Sequence, residues 1–116
     1  MVFKFEFERV NDTGLYKLSG NLIGESYGMA LMDSFSEQTE EGIRHFVLDL
    51  SQMEHINSSG LGVLITLLTK VRKKDGEMAL VNPSKHVRNL LMITKLNAIF
   101  QCFDSLDEAI KKMPTS

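Results

Sequence analysis

Two adjacent serines, Ser58 and Ser59, stand where an apolar segment, His45 to Leu50, gives way to the apolar start of a predicted helix. Two glycines, Gly60 and Gly62, follow directly. A serine in the first turn of a helix lies beside unpaired backbone N–H groups and the positive end of the helix dipole, where a phosphate is held at low cost. These residue types and their spacing predict a phosphoacceptor, and so a switch rather than a catalyst.

The same residues also fit a purely structural role. One serine would then cap the helix, and the glycines would serve close packing of the helix against a sheet. In the functional interpretation, Gly60 and Gly62 instead let the backbone of a kinase or another docked partner approach closely. The spacing by itself leaves both interpretations open.

Enzymatic chemistry finds little support in the sequence. A serine nucleophile in a G-x-S-x-G elbow needs a glycine two residues earlier, and neither Ser58 nor Ser59 has one. The three histidines, His45, His55 and His86, are widely separated, so spacing identifies neither a general base nor a metal-ligand set. No G-x-G-x-x-G follows the first predicted strand. We therefore expect no catalytic residue, no metal and no cofactor.

Length and charge limit the class of protein. A chain of 116 residues with 43% hydrophobic residues fits one soluble domain, residues 1–116. The formal net charge of -2 argues against a direct nucleic-acid partner. The basic residues gather only at the predicted end of a helix, at Lys70, Arg72, Lys73 and Lys74. That run fits a solvated helix terminus, with a small membrane or RNA patch as the alternative.

Cysteine content and hydropathy bear on the compartment. Cys102 is the single cysteine, which excludes an intramolecular disulfide and fits a reducing cytosol. The longest apolar stretch, Leu61 to Leu68, is far shorter than the ~20 residues that a membrane span requires. The N-terminus alternates between apolar and charged residues and lacks the apolar centre of a signal peptide. We expect a cytoplasmic protein without membrane insertion.

The N-terminal pattern predicts a hairpin. Strict alternation from Phe3 to Glu8 is typical of a half-buried strand, and a turn at Asn11 to Gly14 precedes a second run, Leu15 to Leu22. A helix follows, with Ser26 as its N-cap and Gly42 as its C-terminal stop.

The remaining pattern alternates strands and helices. Phe46 to Leu50 is apolar on both faces, as in a central strand covered by helices on each side. The later elements are a helix over Leu61 to Val71, a strand over Met78 to Val81, a helix capped by Ser84, a strand over Phe100 to Phe103 and a helix capped by Ser105.

This order predicts an α/β fold. Right-handed βα crossovers give a mostly parallel sheet of about five strands, with the N-terminal hairpin as an antiparallel edge. Functional loops in such sheets lie beyond the carboxyl ends of the strands. The predicted loop Ser51 to Gly60 leaves the central strand at that edge, so position and chemistry indicate the same site.

Part of the sequence resembles the signature of a known bacterial protein family. The octet Asn57 to Leu64 resembles D-S-S-G-L-G-x-L, the signature of the bacterial STAS-domain anti-sigma factor antagonists. The preceding segment, Arg44 to Leu50, and the order of elements are similar to that family over nearly all of the chain. One departure is Asn57, which stands where the signature usually has Asp.

The resemblance implies partner switching by a STAS domain that is not an enzyme. In this family the unmodified domain binds a serine-kinase anti-sigma factor, and the anti-sigma factor then releases its sigma factor. Phosphorylation of one serine ends the binding, and a serine phosphatase restores it. The resemblance implies that this serine is Ser58 here. The alternative that the resemblance leaves is an unphosphorylated adaptor or scaffold subunit of a signalling or transport complex. The implied partner-binding residues are His55, Asn57, Ser58, Ser59, Gly60, Leu61 and Gly62.

Overall fold

The computed structural model describes residues 2–23 and 25–113, except for the side chains of residues 25–27. Its elements, in chain order, are β1 (Lys4–Val10), β2 (Thr13–Leu22), α1 (Glu25–Glu40), β3 (His45–Ile56), α2 (Ser58–Lys73), β4 (Glu77–Val81), α3 (Lys85–Ile93), a 3-10 helix (Leu96–Ala98), β5 (Gln101–Phe103) and α4 (Leu106–Lys112).

The described strands form one sheet in the order β1-β2-β3-β4-β5. β1 and β2 pair antiparallel, and each later neighbour pairs parallel. The hairpin closes with Val10 opposite Thr13, and Asn11 takes the positive φ of 56° that such a tight turn needs. The predicted α/β fold, with its antiparallel edge hairpin and mostly parallel sheet, is confirmed.

Helices cover the two faces of the sheet unequally. On one face, side chains from α1, α2 and α3 join the large core cluster, in which the rings of Tyr16, Phe35 and Phe46 stack with centroids 4.6 and 4.5 Å apart. On the other face, Ala109 and Met113 from the C-terminal segment pack against the sheet in a smaller cluster. The central strand β3 is therefore buried on both sides along its first half, as its apolar composition predicts.

β3 is longer than the sequence predicts. It continues to Ile56, because β2 still pairs with it there, with Leu22 opposite Ile56. Met53 and Ile56 are buried, so this second half is also tied to the core. The predicted loop Ser51 to Gly60 is therefore wrong, and Asn57 is the one residue between β3 and α2.

Several predicted helix ends are confirmed. The hydroxyl oxygens of Ser84 and Ser105 accept hydrogen bonds from the backbone N–H groups of Val87 and Glu108, at 3.3 and 3.1 Å. Gly42 has a φ of 99° just beyond α1. The predicted cap at Ser26 falls on a side chain outside the described part of the chain.

Candidate functional site

The first feature of the site is the N-terminal cap of α2. Asn57 has extended backbone, and its Oδ1 accepts a hydrogen bond from the backbone N–H of Gly60 at 2.9 Å. This bond satisfies one of the N–H groups that a helix start leaves unpaired and fixes the first turn of α2. Asn57 is therefore the cap, and the alternative that one of the two serines caps α2 is wrong.

Both serines are consequently available at the surface. Ser58 is the first residue of α2 and Ser59 the second, and both side chains are exposed. The first turn of α2 contains no acidic residue that would neutralise the positive end of the helix dipole. An anion attached to either hydroxyl would thus meet a favourable field.

Two of the expected contact residues lie beneath this surface. Gly60 is buried, and a Cβ atom added there would lie 2.3 Å from the carbonyl oxygen of Leu22. Leu61 is buried in the large core cluster. Gly60 thus lets α2 pack against the end of β2, and Leu61 ties the start of the helix to the core. That these two residues contribute to partner binding stays a prediction.

Gly62 has the opposite surroundings. A Cβ atom added there would meet nothing within 4 Å, so no internal contact requires a glycine. The residue lies on a shallow groove between α1 and α2 that continues from the serines. The groove is lined by Met29, Met32, Ser59, Gly62, Val63 and Thr66.

The groove is shallow because α1 and α2 approach closely beneath it. A Cβ atom on Gly28 would lie 2.4 Å from a Val63 methyl group, so glycine at 28 permits this approach. Met29, on the rim, is exposed. Its flexible thioether side chain suits an adaptable contact surface.

Two histidines extend the site in the other direction. His55 is exposed near the end of β3, and its ring meets that of His86 edge-on, with centroids 5.3 Å apart. His86 belongs to the first turn of α3. Sequence reasoning missed His86, although a signal existed: α3 follows β4, and the carboxyl ends of parallel neighbours meet at one edge of a sheet.

Other chemistry is sparse in the part of the chain that the structure describes. There, no three His, Cys, Asp or Glu side chains gather closely enough to hold a metal ion. Burial raises the pKa of the Cys102 thiol, which disfavours the reactive thiolate. None of the described helices combines the length and the apolar character needed to cross a membrane.

Known proteins share this fold. Residues 4–109 match the STAS domain family. A candidate anti-sigma factor antagonist of Thermotoga neapolitana, the TM1081 homolog, is 35% identical over 79 residues, which are 68% of this chain and 70% of that protein. The crystal structure of TM1081 from Thermotoga maritima, also a candidate antagonist, has a TM-score of 0.84 at 29% identity and covers 93% of this chain and 92% of its own.

More distant structures agree on the fold. The anti-sigma factor antagonist SpoIIAA in its unphosphorylated form has a TM-score of 0.79 at 22% identity, with 94% of this chain and 95% of that chain covered. Bacillus SpoIIAA in its phosphorylated form has a TM-score of 0.73 at 20% identity, with 96% and 100% covered.

The sheet order, the capped β3–α2 junction and the family match together define a STAS domain. Within this class, the chain belongs to the family of the anti-sigma factor antagonists.

Proposed function

We propose that this protein binds a serine-kinase anti-sigma factor while Ser58 is unmodified, and thereby frees a sigma factor for transcription. Phosphorylation of Ser58 by that kinase ends the binding, and a serine phosphatase restores it. The domain binds and does not catalyse, and it acts in the cytoplasm, where its partners work. The observation that carries the proposal is the exposed Ser58 hydroxyl in the first turn of α2, with the capping role already taken by Asn57.

The proposed docking surface consists of exposed or half-exposed residues around that hydroxyl. They are His55, Asn57, Ser58, Ser59 and Gly62, with Gly60 and Leu61 supporting them from below. The groove between α1 and α2 borders this surface and offers apolar area to the partner. Such a surface presents hydroxyl and amide groups with little charge, so a partner can cover it without burying unpaired ions.

A phosphate at Ser58 would make this weakly charged docking surface costly to bury. It adds roughly -1.5 to -2 charges near neutral pH, and an interface shaped for a hydroxyl must then desolvate them. Repulsion from any partner carboxylate adds to that cost. Each ~1.4 kcal/mol lost weakens binding about tenfold, so a modest penalty is enough for a switch.

Asn57 is compatible with this mechanism despite departing from the family signature. Its amide oxygen makes the capping bond that an aspartate would make. Unlike a carboxylate, the amide does not repel a phosphate on the neighbouring residue. The phosphorylated structure of SpoIIAA, which shares the fold, supports the same kind of modification here.

The proposal is tested by phosphorylation of the wild-type protein and of Ser58→Ala and Ser59→Ala, using the anti-sigma factor kinase of the source organism and ATP. Intact-mass analysis should find one phosphate on the wild type and on Ser59→Ala, and none on Ser58→Ala. Phosphate on Ser58→Ala would overturn the assignment of the acceptor. An unmodified wild type that co-purifies with a large complex would instead establish the scaffold role.

A further inference from the structure

A second surface is formed by the end of α3 and by the residue that follows the 3-10 helix. Met92, Ile93 and Ile99 have relative exposures of 63%, 78% and 40%. We call these three residues the α3-end patch. They are held on a firm base, because Leu91 and Phe100, which flank this segment, are both buried in the core. Exposed apolar side chains of this size mark an interaction site where they form one patch.

Cations border the α3-end patch. The Arg72 guanidinium donates a hydrogen bond to the carbonyl oxygen of Ile99 at 3.5 Å, which places the end of α2 beside the patch. Lys73 is exposed next to Arg72, and Lys95 is exposed within the patch segment. The end of α2, which carries the basic run, thus reaches the backbone of Ile99.

The sequence range that contains the patch is basic on balance. From His55 to Asp104 the sequence holds seven lysine or arginine residues and three acidic residues, and two of the cations, Arg72 and Arg88, pair with Glu77 and Asp104. The rest of the chain is acidic on balance, since the whole has a net charge of -2. Charge asymmetry of this kind indicates a partner of opposite sign.

The patch is separate from the surface around Ser58. α2 runs from Ser58 to Lys73, so its two ends are roughly 20 Å apart at 1.5 Å per residue. Arg72, which contacts Ile99, belongs to the far end. A partner on the α3-end patch therefore need not compete with one at Ser58.

We propose that the α3-end patch docks an acidic amphipathic helix of a protein partner. The apolar face of that helix would cover Met92, Ile93 and Ile99, and its carboxylates would lie over Lys73 and Lys95. A protein helix fits better than an anionic bilayer, because Glu77 pairs with Arg72 at 3.2 Å and Asp75 is exposed two residues after Lys73. A single helix can avoid those two carboxylates, whereas a continuous anionic surface would meet them.

The test uses a synthetic helical peptide of about five turns with leucine along one face and glutamate elsewhere, titrated into isotopically labelled protein and followed by NMR. Chemical-shift changes should concentrate in residues 92–99 and at the end of α2. The double variant Ile93→Ser/Lys95→Gln should bind about tenfold more weakly. Ile110→Ser is the matched control, because Ile110 is 39% exposed on α4 and lies outside the patch; its binding should not change.

Three results would overturn the proposal. The first is a set of chemical-shift changes centred on Ser58 instead of the α3-end patch. The second is equal affinity of the double variant and the wild type. The third is tighter binding of the patch to vesicles containing phosphatidylglycerol than to the peptide, which would assign the patch to a lipid surface. A peptide with lysine in place of glutamate should not bind, since it would face like charges.

Discussion

Gly60 and Gly62 lie two residues apart in α2 but face different surroundings. An added Cβ at position 60 would collide with the Leu22 carbonyl group, whereas one at position 62 would meet nothing within 4 Å. Glycine in a helix costs about 0.5–1 kcal/mol relative to alanine. The protein bears this cost at Gly62 without any internal packing reason, which fits a surface that another molecule approaches.

These surroundings predict opposite effects of the same substitution. Gly60→Ala should lower the free energy of unfolding by about 1–3 kcal/mol, because backbone must move to accept the methyl group. Gly62→Ala should raise it by about 0.5–1 kcal/mol through helix propensity. Denaturant unfolding of both variants beside the wild type measures the two effects. Equal destabilisation by both would contradict the contrast drawn between the two positions.

At single positions, the sequence predicts the chemistry of a site better than the structural role of each residue in it. The octet Asn57 to Leu64 indicates the correct junction, and the exposure of Ser58 agrees with the expected phosphoacceptor. The separate roles of Gly60 and Gly62 could not be predicted, because they depend on the distance to Leu22, a residue far away in the chain.

Among the elements, α2 links stability to the proposed switch. Its first turn has no acidic residue, while Lys70, Arg72 and Lys73 occupy its last turn. The negative end of the helix dipole is therefore compensated by charged side chains, and the positive end is not. A negative group at Ser58 should stabilise the helix even as it weakens partner binding.

Ser58→Asp should thus raise the free energy of unfolding by about 0.3–1 kcal/mol at low ionic strength. Ser58→Lys is the matched control and should lower it by a similar amount, since its charge opposes the dipole. Thermal or denaturant unfolding at two salt concentrations measures both changes, which salt should reduce. Destabilisation by Ser58→Asp would indicate that a negative group disrupts the fold itself.

The extent of β3 illustrates what sequence patterns miss. Its first half was predictable because it is apolar on both faces. The second half was not, since pairing with β2 shifts register between Lys17 and Ser19 and again between Gly20 and Asn21. These irregularities break the alternation that identifies a strand, and only the three-dimensional pairing reveals it.

At the scale of the whole molecule, the side chain of Tyr16 contacts three parts of the fold. Its ring stacks on Phe35 of α1 and contacts Phe7 of the hairpin and Phe46 of β3. Its hydroxyl lies 2.7 Å from the Ser34 hydroxyl. Burial raises the pKa of Tyr16 from 10.0 to about 12, and the nearby Glu37 charge adds to this, while the hydrogen bond with Ser34 lowers it.

This raised pKa predicts alkaline sensitivity. Between pH 10 and about 12 the unfolded chain loses the Tyr16 proton while the folded protein retains it, so stability falls as pH rises through this window. Below pH 10 the contribution is fully present. Unfolding measured from pH 8 to 12 should show this decline, and Tyr16→Phe should remove its share of it. An unchanged pH profile in Tyr16→Phe would exclude Tyr16 as a source of the decline.

The whole chain also separates two kinds of surface. Hydroxyl and amide groups gather around Ser58 at one end of α2, and cations gather at the other end, where Arg72 reaches the backbone of Ile99. The overall α/β architecture was predictable, because the apolar patterns of strands and helices and the helix caps each depend on residues close together in the sequence. The hydrogen bond from Arg72 to Ile99 was not predictable, since it joins residues 27 positions apart in the sequence.

The central claim is that one phosphate at Ser58 decides partner binding. The most direct measurement is a calorimetric titration of the anti-sigma factor kinase with unmodified wild type, with Ser58→Ala and with protein phosphorylated at Ser58. We expect wild type and Ser58→Ala to bind with equal affinity, and the phosphorylated protein to bind at least about tenfold more weakly. Equal affinity of the phosphorylated and unmodified forms would contradict the account.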